Sequence, residues 1–149
     1  MKVIFLDFDG VLNTEKYIYE CGEYGVVIAP KAMIVLKRII DKTKAKIVLS
    51  TSWREHWSKN AEECDSTGKK INEIFSLFGM TVFDKTGEFG SREEEIEAWL
   101  KLHPETENFV VVDDRFLSSD TIKNHFVKVS GYKRGLDETA LKEVLEILK

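Results

Sequence analysis

The sequence predicts an α/β fold, a central parallel sheet of about five strands with helices on both faces. Two observations carry this. Stretches such as Val3-Ile4-Phe5-Leu6 and Phe109-Val110-Val111-Val112 are continuously apolar, as strands covered on both faces are. Such runs also alternate with segments of helical apolar spacing, which implies parallel crossover connections. The 149 residues suit one domain around one core.

The elements follow in order. Lys2–Leu6 is the first strand. Pro30–Lys42 is predicted helical, with Pro at its first position and Ala32, Val35, Leu36, Ile39 and Ile40 at core spacing. Ala45–Ser50 is the second strand. Glu55–Gly79 reads as mostly helical, interrupted near Asp65–Gly68, with Ile71, Ile74, Phe75 and Phe78 in its later part. Thr81–Phe83 is a short strand. Ser91–Leu102 is a helix opened by a Ser91/Glu94 capping box, its core face Ile96, Trp99 and Leu100. Phe109–Val112 is a strand. Ile122–Phe126 and Val127–Val129 read as a short helix and a last strand, and Asp137–Leu148 as the closing helix. There is no internal repeat and no low-complexity linker.

Composition narrows the class. Hydrophobic content of 43% and charged content of 32% are those of an ordinary globular chain. The formal net charge of −4 gives no global basic footprint for coating nucleic acid. Cys21 and Cys64 form no CxxC pair and read as reduced thiols. No apolar stretch is long enough to span a membrane, and the N-terminal run is too short for a signal peptide. The expected location is cytoplasmic.

In parallel sheets ligands sit beyond the carboxyl ends of the strands, and here those ends are polar. MKVIFLDFDGVLNTE places Asp7 and Asp9 after strand one. Ser50-Thr51-Ser52 follow strand two, and Asp113-Asp114-Arg115 follow the fourth. Four carboxylates would converge on one rim. Acids so close repel, and one is forced neutral unless a cation intervenes. Oxygen ligands of this kind suit Mg²⁺. The hydroxyls offer neutral donors to an anionic phosphate. Together these residues point to Mg²⁺-dependent phosphoryl transfer.

At these positions the chain resembles the haloacid dehalogenase (HAD) superfamily. DFDGVLN is similar to its first motif, hhhhDxDG. LSTS resembles the second, and VVVDD the fourth, in the family's order and across essentially the whole chain. The resemblance implies a three-layer Rossmann-like core and residue-by-residue roles. Asp7 is the nucleophile that forms an aspartyl-phosphate. Asp9 is the general acid and then the base. Metal ligands are Asp7, Asp9 through its backbone carbonyl, and Asp113 or Asp114, with Asp114 preferred. Thr51 binds the phosphoryl group, with Ser50 and Ser52 open as alternatives. Gly10 lets the chain fold tightly around the phosphate. The third-motif cation is Arg92, at a helix start where positive charge has no structural advantage, with Lys85 as the alternative.

Asp9 to Pro30 leaves about twenty residues, enough for a flap and too few for a cap domain. The chain thus resembles the capless members, in which a partner or a second copy can close the site. STSWR and the late DDR are also similar to HAD domains associated with RNA repair and to deoxyribonucleotidases, which implies a nucleotide or nucleic-acid end as substrate. A phosphoprotein or a small metabolite is the alternative. A phosphoacceptor or binding module is the rival class, with Asp84 as its acceptor. Arg54 is expected either on the substrate phosphate or in a surface salt bridge. Trp53 and Trp57, four apart, are read as core packing on one helical face, with base stacking by one of them as the sharper alternative. His56, His103 and His125 are read as structural or exposed.

Overall fold

β1 (Lys2–Leu6) lies at the centre of a five-stranded, all-parallel sheet in the computed structural model, which describes residues 1–22 and 25–149. The order is β3-β2-β1-β4-β5, with β2 Lys46–Leu49, β3 Val82–Lys85, β4 Asn108–Asp113 and β5 Phe126–Lys128. β1 pairs with both β2 and β4, Leu6 standing opposite Leu49 on one side and Val112 on the other. The chain runs outward from β1 to β3, then crosses back to β4. The topological switch therefore falls between β1 and β4, where doubly wound sheets bind ligands.

Strand alternation divides the core. Ile4 and Leu6 face α2 (Pro30–Thr43), α3 (Ser66–Leu77) and α5 (Glu138–Ile147). Val3 and Phe5 face Ile96 and Trp99 of α4 (Arg92–Leu102), and Phe5 meets Trp99 edge-on at 5.3 Å. Both sheet faces are thus covered, as the unbroken apolar strands require. Among the described residues no helix is long and apolar enough to cross a membrane.

Three expectations need correction. The segment between β1 and α2 contains a helix, α1 (Glu15–Cys21), capped by Thr14 and closed by Gly22 at φ 67°. It buries no residue, so no apolar periodicity announced it. Glu55–Gly79 holds one α-helix, α3, confined to its later part. Two 3₁₀ turns, Ser52–His56 and Ala61–Glu63, precede α3. The expected break at Asp65–Gly68 is instead the start of α3, where the Asp65 side chain accepts from Gly68 N–H at 3.0 Å. Gly68 belongs inside this turn because a Cβ there would lie 2.0 Å from the His56 carbonyl oxygen. The last strand begins one residue earlier than expected, and a 3₁₀ turn, Lys123–His125, precedes it.

Candidate active site

The ladder extends past the strands and aligns their polar ends. Asp7 N–H donates to the Val112 carbonyl at 3.3 Å, and Ser50 N–H donates to the Leu6 carbonyl at 3.1 Å. Asp7, Asp113 and Asp114 each bring a carboxylate oxygen within 4.8 Å of the others. Asp7 is 5% exposed and Asp113 fully buried. Arg92, the first residue of α4, reaches across this rim. Its Nη1 lies 2.7 Å from Asp113 and 3.2 Å from Asp7. The helix end offers a cation nothing, so the two carboxylates hold it there.

Three acids against one guanidinium leave an excess of negative charge in a dry place. Burial pushes the Asp7 carboxyl up to about 7, with Arg92 opposing the rise and Asp113 adding to it. Asp114 is also raised, by burial first and by Asp113 second. Burial works against the charge on Arg92, yet Asp7 and Asp113 outweigh it and raise Arg92 above its ordinary value. Close-set oxygen ligands short of positive charge are the donor set a hard divalent cation accepts.

Asp114 is seated between two glycines. A Cβ on Gly10 would fall 2.2 Å from Asp114 Oδ2, and one on Gly131 would fall 2.5 Å from it. Gly10 also stands at φ +84°, where side chains are strained. Gly10 thus makes room for the Asp114 carboxylate, a contact with residues a hundred positions away that the sequence reading did not contain.

Asp9 does not join the carboxylate cluster, contrary to the expected convergence of four acids. Its side chain turns outward. Trp53 Nε1–H donates to Asp9 Oδ2 at 2.9 Å, and Asn13 Nδ2–H donates to Oδ1 at 3.2 Å. Asn13 is itself fixed, accepting from Gly10 N–H at 2.9 Å and donating to the Val27 carbonyl at 2.6 Å. Asn13 and Trp53 are the site residues that sequence reasoning missed. Asn13 stood within the quoted DFDGVLN. Trp53 was placed on a shared core face with Trp57, with base stacking by one of them as the alternative. Trp57 is buried in the core with its Nε1–H on Asn72 at 2.8 Å, and Trp53, half-buried, packs against the same core while its Nε1–H reaches Asp9.

The hydroxyls after β2 divide. Ser50 and Thr51 are fully buried and Ser52 is exposed. Ser50 Oγ has no hydrogen-bond partner among the described residues. Thr51 Oγ1 accepts from Trp53 N–H at 3.4 Å, which leaves its own proton free to donate. Arg54, expected on the substrate phosphate or in a surface salt bridge, is buried and spends its donors on the protein itself. It donates to the Ser50 and Thr51 carbonyls at 3.0 and 2.9 Å, to the Gly87 carbonyl at 3.1 Å and to Glu95 at 3.0 Å. It ties the β2 end to the β3–α4 loop. Lys85 donates to the Arg54 and Trp57 carbonyls at 3.1 and 2.5 Å, so Arg92 is the cation brought to Asp7. Asp84 accepts from Trp99 Nε1–H at 2.9 Å and is outside the cluster. Of the histidines, His103 stacks on Trp99 and His125 on Phe109, while His56 pairs with Asp65 at 2.6 Å.

A groove of about 930 Å³ opens beside the rim, with Trp53, Arg92 and Arg115 among its lining residues. Comparison with known proteins adds one finding. A family model described as the HAD domain in Swiss Army Knife RNA repair proteins matches residues 3–141. No curated protein and no solved structure matches the chain.

Proposed function

The chain belongs to this family of HAD domains, and on that premise we propose that it is a Mg²⁺-dependent phosphatase acting on a nucleotide or nucleic-acid end through an aspartyl-phosphate. The observation that carries the reading is the buried Asp7–Asp113–Asp114 cluster with Arg92 laid across it. The family's description supports the nucleic-acid end. Asp7 and Asp114 would hold the metal, together with the Asp9 backbone carbonyl. Both Asp113 oxygens already accept, one from Arg92 and one from Arg115 N–H, so Asp113 serves to orient its neighbours. Bound Mg²⁺ supplies charge neutralisation at the phosphoryl oxygens.

The remaining work falls to the chain. An Asp7 oxygen attacks phosphorus while the ester oxygen leaves with a proton from Asp9, giving an aspartyl-phosphate and an alcohol. Asp9 then takes a proton from water, whose oxygen attacks phosphorus. Inorganic phosphate leaves and the Asp7 carboxylate is restored. Arg92 steadies Asp7 and the transferred group, and the Thr51 and Ser50 hydroxyls donate to its oxygens. Trp53 and Asn13 fix Asp9 at the mouth of the site, where substrate and water arrive.

Phosphate-monoester hydrolysis can require acceleration up to ~10²¹-fold, so loss of the nucleophile should be near-total. The test is phosphate release from a panel of mononucleotides, 3′- and 5′-phosphorylated oligonucleotides, phosphopeptides and sugar phosphates, with Mg²⁺ and with EDTA. Turnover of the nucleotide classes that EDTA and Asp7→Asn each abolish is expected. Asp7→Asn within about tenfold of the wild type would remove the nucleophile assignment. The phosphoacceptor reading is less well supported, because its acceptor, Asp84, is engaged by Trp99 away from the cluster.

A further inference from the structure

We propose that the groove beside Arg92 contains a base-stacking subsite, in which Phe89 and Phe116 receive the nucleobase of the nucleotide whose phosphate is transferred. The inference rests on the phosphatase reading above and specifies how that site selects its substrate.

Among the described residues, Phe89 and Phe116 are the only exposed phenylalanines, at 66% and 75% exposure, and both line this groove. Their exposure does not come from loose backbone. Phe89 N–H donates to Glu95 Oε2 at 2.8 Å, and Glu95 is 5% exposed and paired with Arg54. Phe116 lies between two fixed residues. Arg115 N–H donates to Asp113 Oδ1 at 2.9 Å, and Leu117 is buried in the core. The turn that sets the acidic cluster therefore also presents Phe116, and the bonds that rivet the β3–α4 loop also present Phe89. One exposed phenyl ring is ordinary on a protein surface. Two lining the same groove as Arg92, the phosphate-handling cation of the proposed reaction, give it aromatic surface of the kind on which bases stack.

Charge sets how far the occupant extends. Arg92 and Arg115 line the groove and suit a phosphate beside them. Glu55, Glu88, Glu93 and Glu95 line it too. Glu95 is paired with Arg54, Glu93 accepts from Ser119 N–H at 2.6 Å, Glu88 lies 3.6 Å from Arg54 Nε and Glu55 lies 3.2 Å from His56. A long polyanion would pass these acids on a chain of net charge −4. The fit is to one terminal nucleotide, its phosphate at Arg92 and its base against the rings.

The test compares kcat/KM for a nucleoside monophosphate with that for the matching ribose phosphate, in the wild type, Phe89→Ala, Phe116→Ala and the double variant. The preference for the nucleotide should fall about 5- to 150-fold when both rings are removed, the equivalent of one base–aromatic stack. A wild type that prefers neither substrate, or a preference that survives the double variant, overturns the subsite. A second arm reads binding without turnover. Nucleoside monophosphate is titrated calorimetrically into Asp7→Asn with and without the two phenylalanines. Weaker binding without them supports the subsite even if no phosphatase activity is found, and equal binding overturns it. Absent turnover of every phosphate ester would overturn the phosphatase reading alone.

Discussion

Asp7 gives the sharpest stability prediction. Without a divalent cation its carboxyl is held up near 7, from an ordinary value of 3.8, chiefly by burial. The folded state therefore binds this proton more tightly than the unfolded state does. The stability Asp7 contributes is fully present below about pH 4 and is lost as pH rises to about 7. At 1.36 kcal/mol per pKa unit the whole effect is on the order of 4 kcal/mol, and roughly half of it falls between pH 5.5 and 8. For a domain of this length that is a drop in Tm of about 4–8 °C. The assay is thermal or denaturant unfolding in EDTA at pH 5.5 and pH 8, for the wild type and Asp7→Asn. Every other ionisable side chain is common to both proteins, so the difference between the two slopes reports on Asp7. Asp7→Asn, neutral throughout, should be more stable than the wild type by about 4 kcal/mol at pH 8 and by about 2 kcal/mol at pH 5.5. Saturating Mg²⁺ should restore the wild type at pH 8, by about 2.7 kcal/mol at a hundredfold excess over Kd. Equal pH slopes for the two proteins would refute the claim that buried, uncompensated charge at Asp7 calls for a cation.

Two further predictions concern residues outside the carboxylate cluster. Replacing Arg54 by Met leaves the Glu95 carboxylate buried without its partner and should cost about 3–5 kcal/mol in urea unfolding, whereas Arg54→Met with Glu95→Gln should recover much of that loss. Trp53→Phe removes the indole donor to Asp9 and should mimic Asp9→Asn in pattern. Alkyl phosphates, whose leaving oxygen needs a proton, should slow by about tenfold or more while p-nitrophenyl phosphate is far less affected. Equal slowing of both substrates would reduce Trp53 to a packing role.

What the sequence made legible were features local in the chain. The buried strands announced themselves through unbroken apolar runs, and their terminal acids stood one to three residues beyond. Asp7, Asp113 and Asp114 were therefore readable, as was Arg92, whose charge conflicts with its helix end. The relations that remained hidden are long-range. Nothing near Asp114 shows that it needs Gly10 and Gly131 to leave it room. The Arg54–Glu95 pair spans 41 residues, and the bond from Trp53 to Asp9 spans 44. The i,i+4 spacing of Trp53 and Trp57 suggested one helix face; both rings pack on the core, but across a 3₁₀ turn Trp57 is buried there while Trp53 also lines the groove. Helix α1 was missed because a helix that buries nothing has no apolar stripe to read.

The most direct test of the central claim is a single-turnover experiment with a phosphate ester labelled at phosphorus. The reaction is quenched in acid on the millisecond scale and the labelled peptide mapped by mass spectrometry. Phosphoryl label on Asp7 is predicted, forming and decaying in step with release of the alcohol and then of phosphate, and absent from Asp7→Asn. Label at another residue, or hydrolysis with no labelled enzyme at any time, would contradict the account.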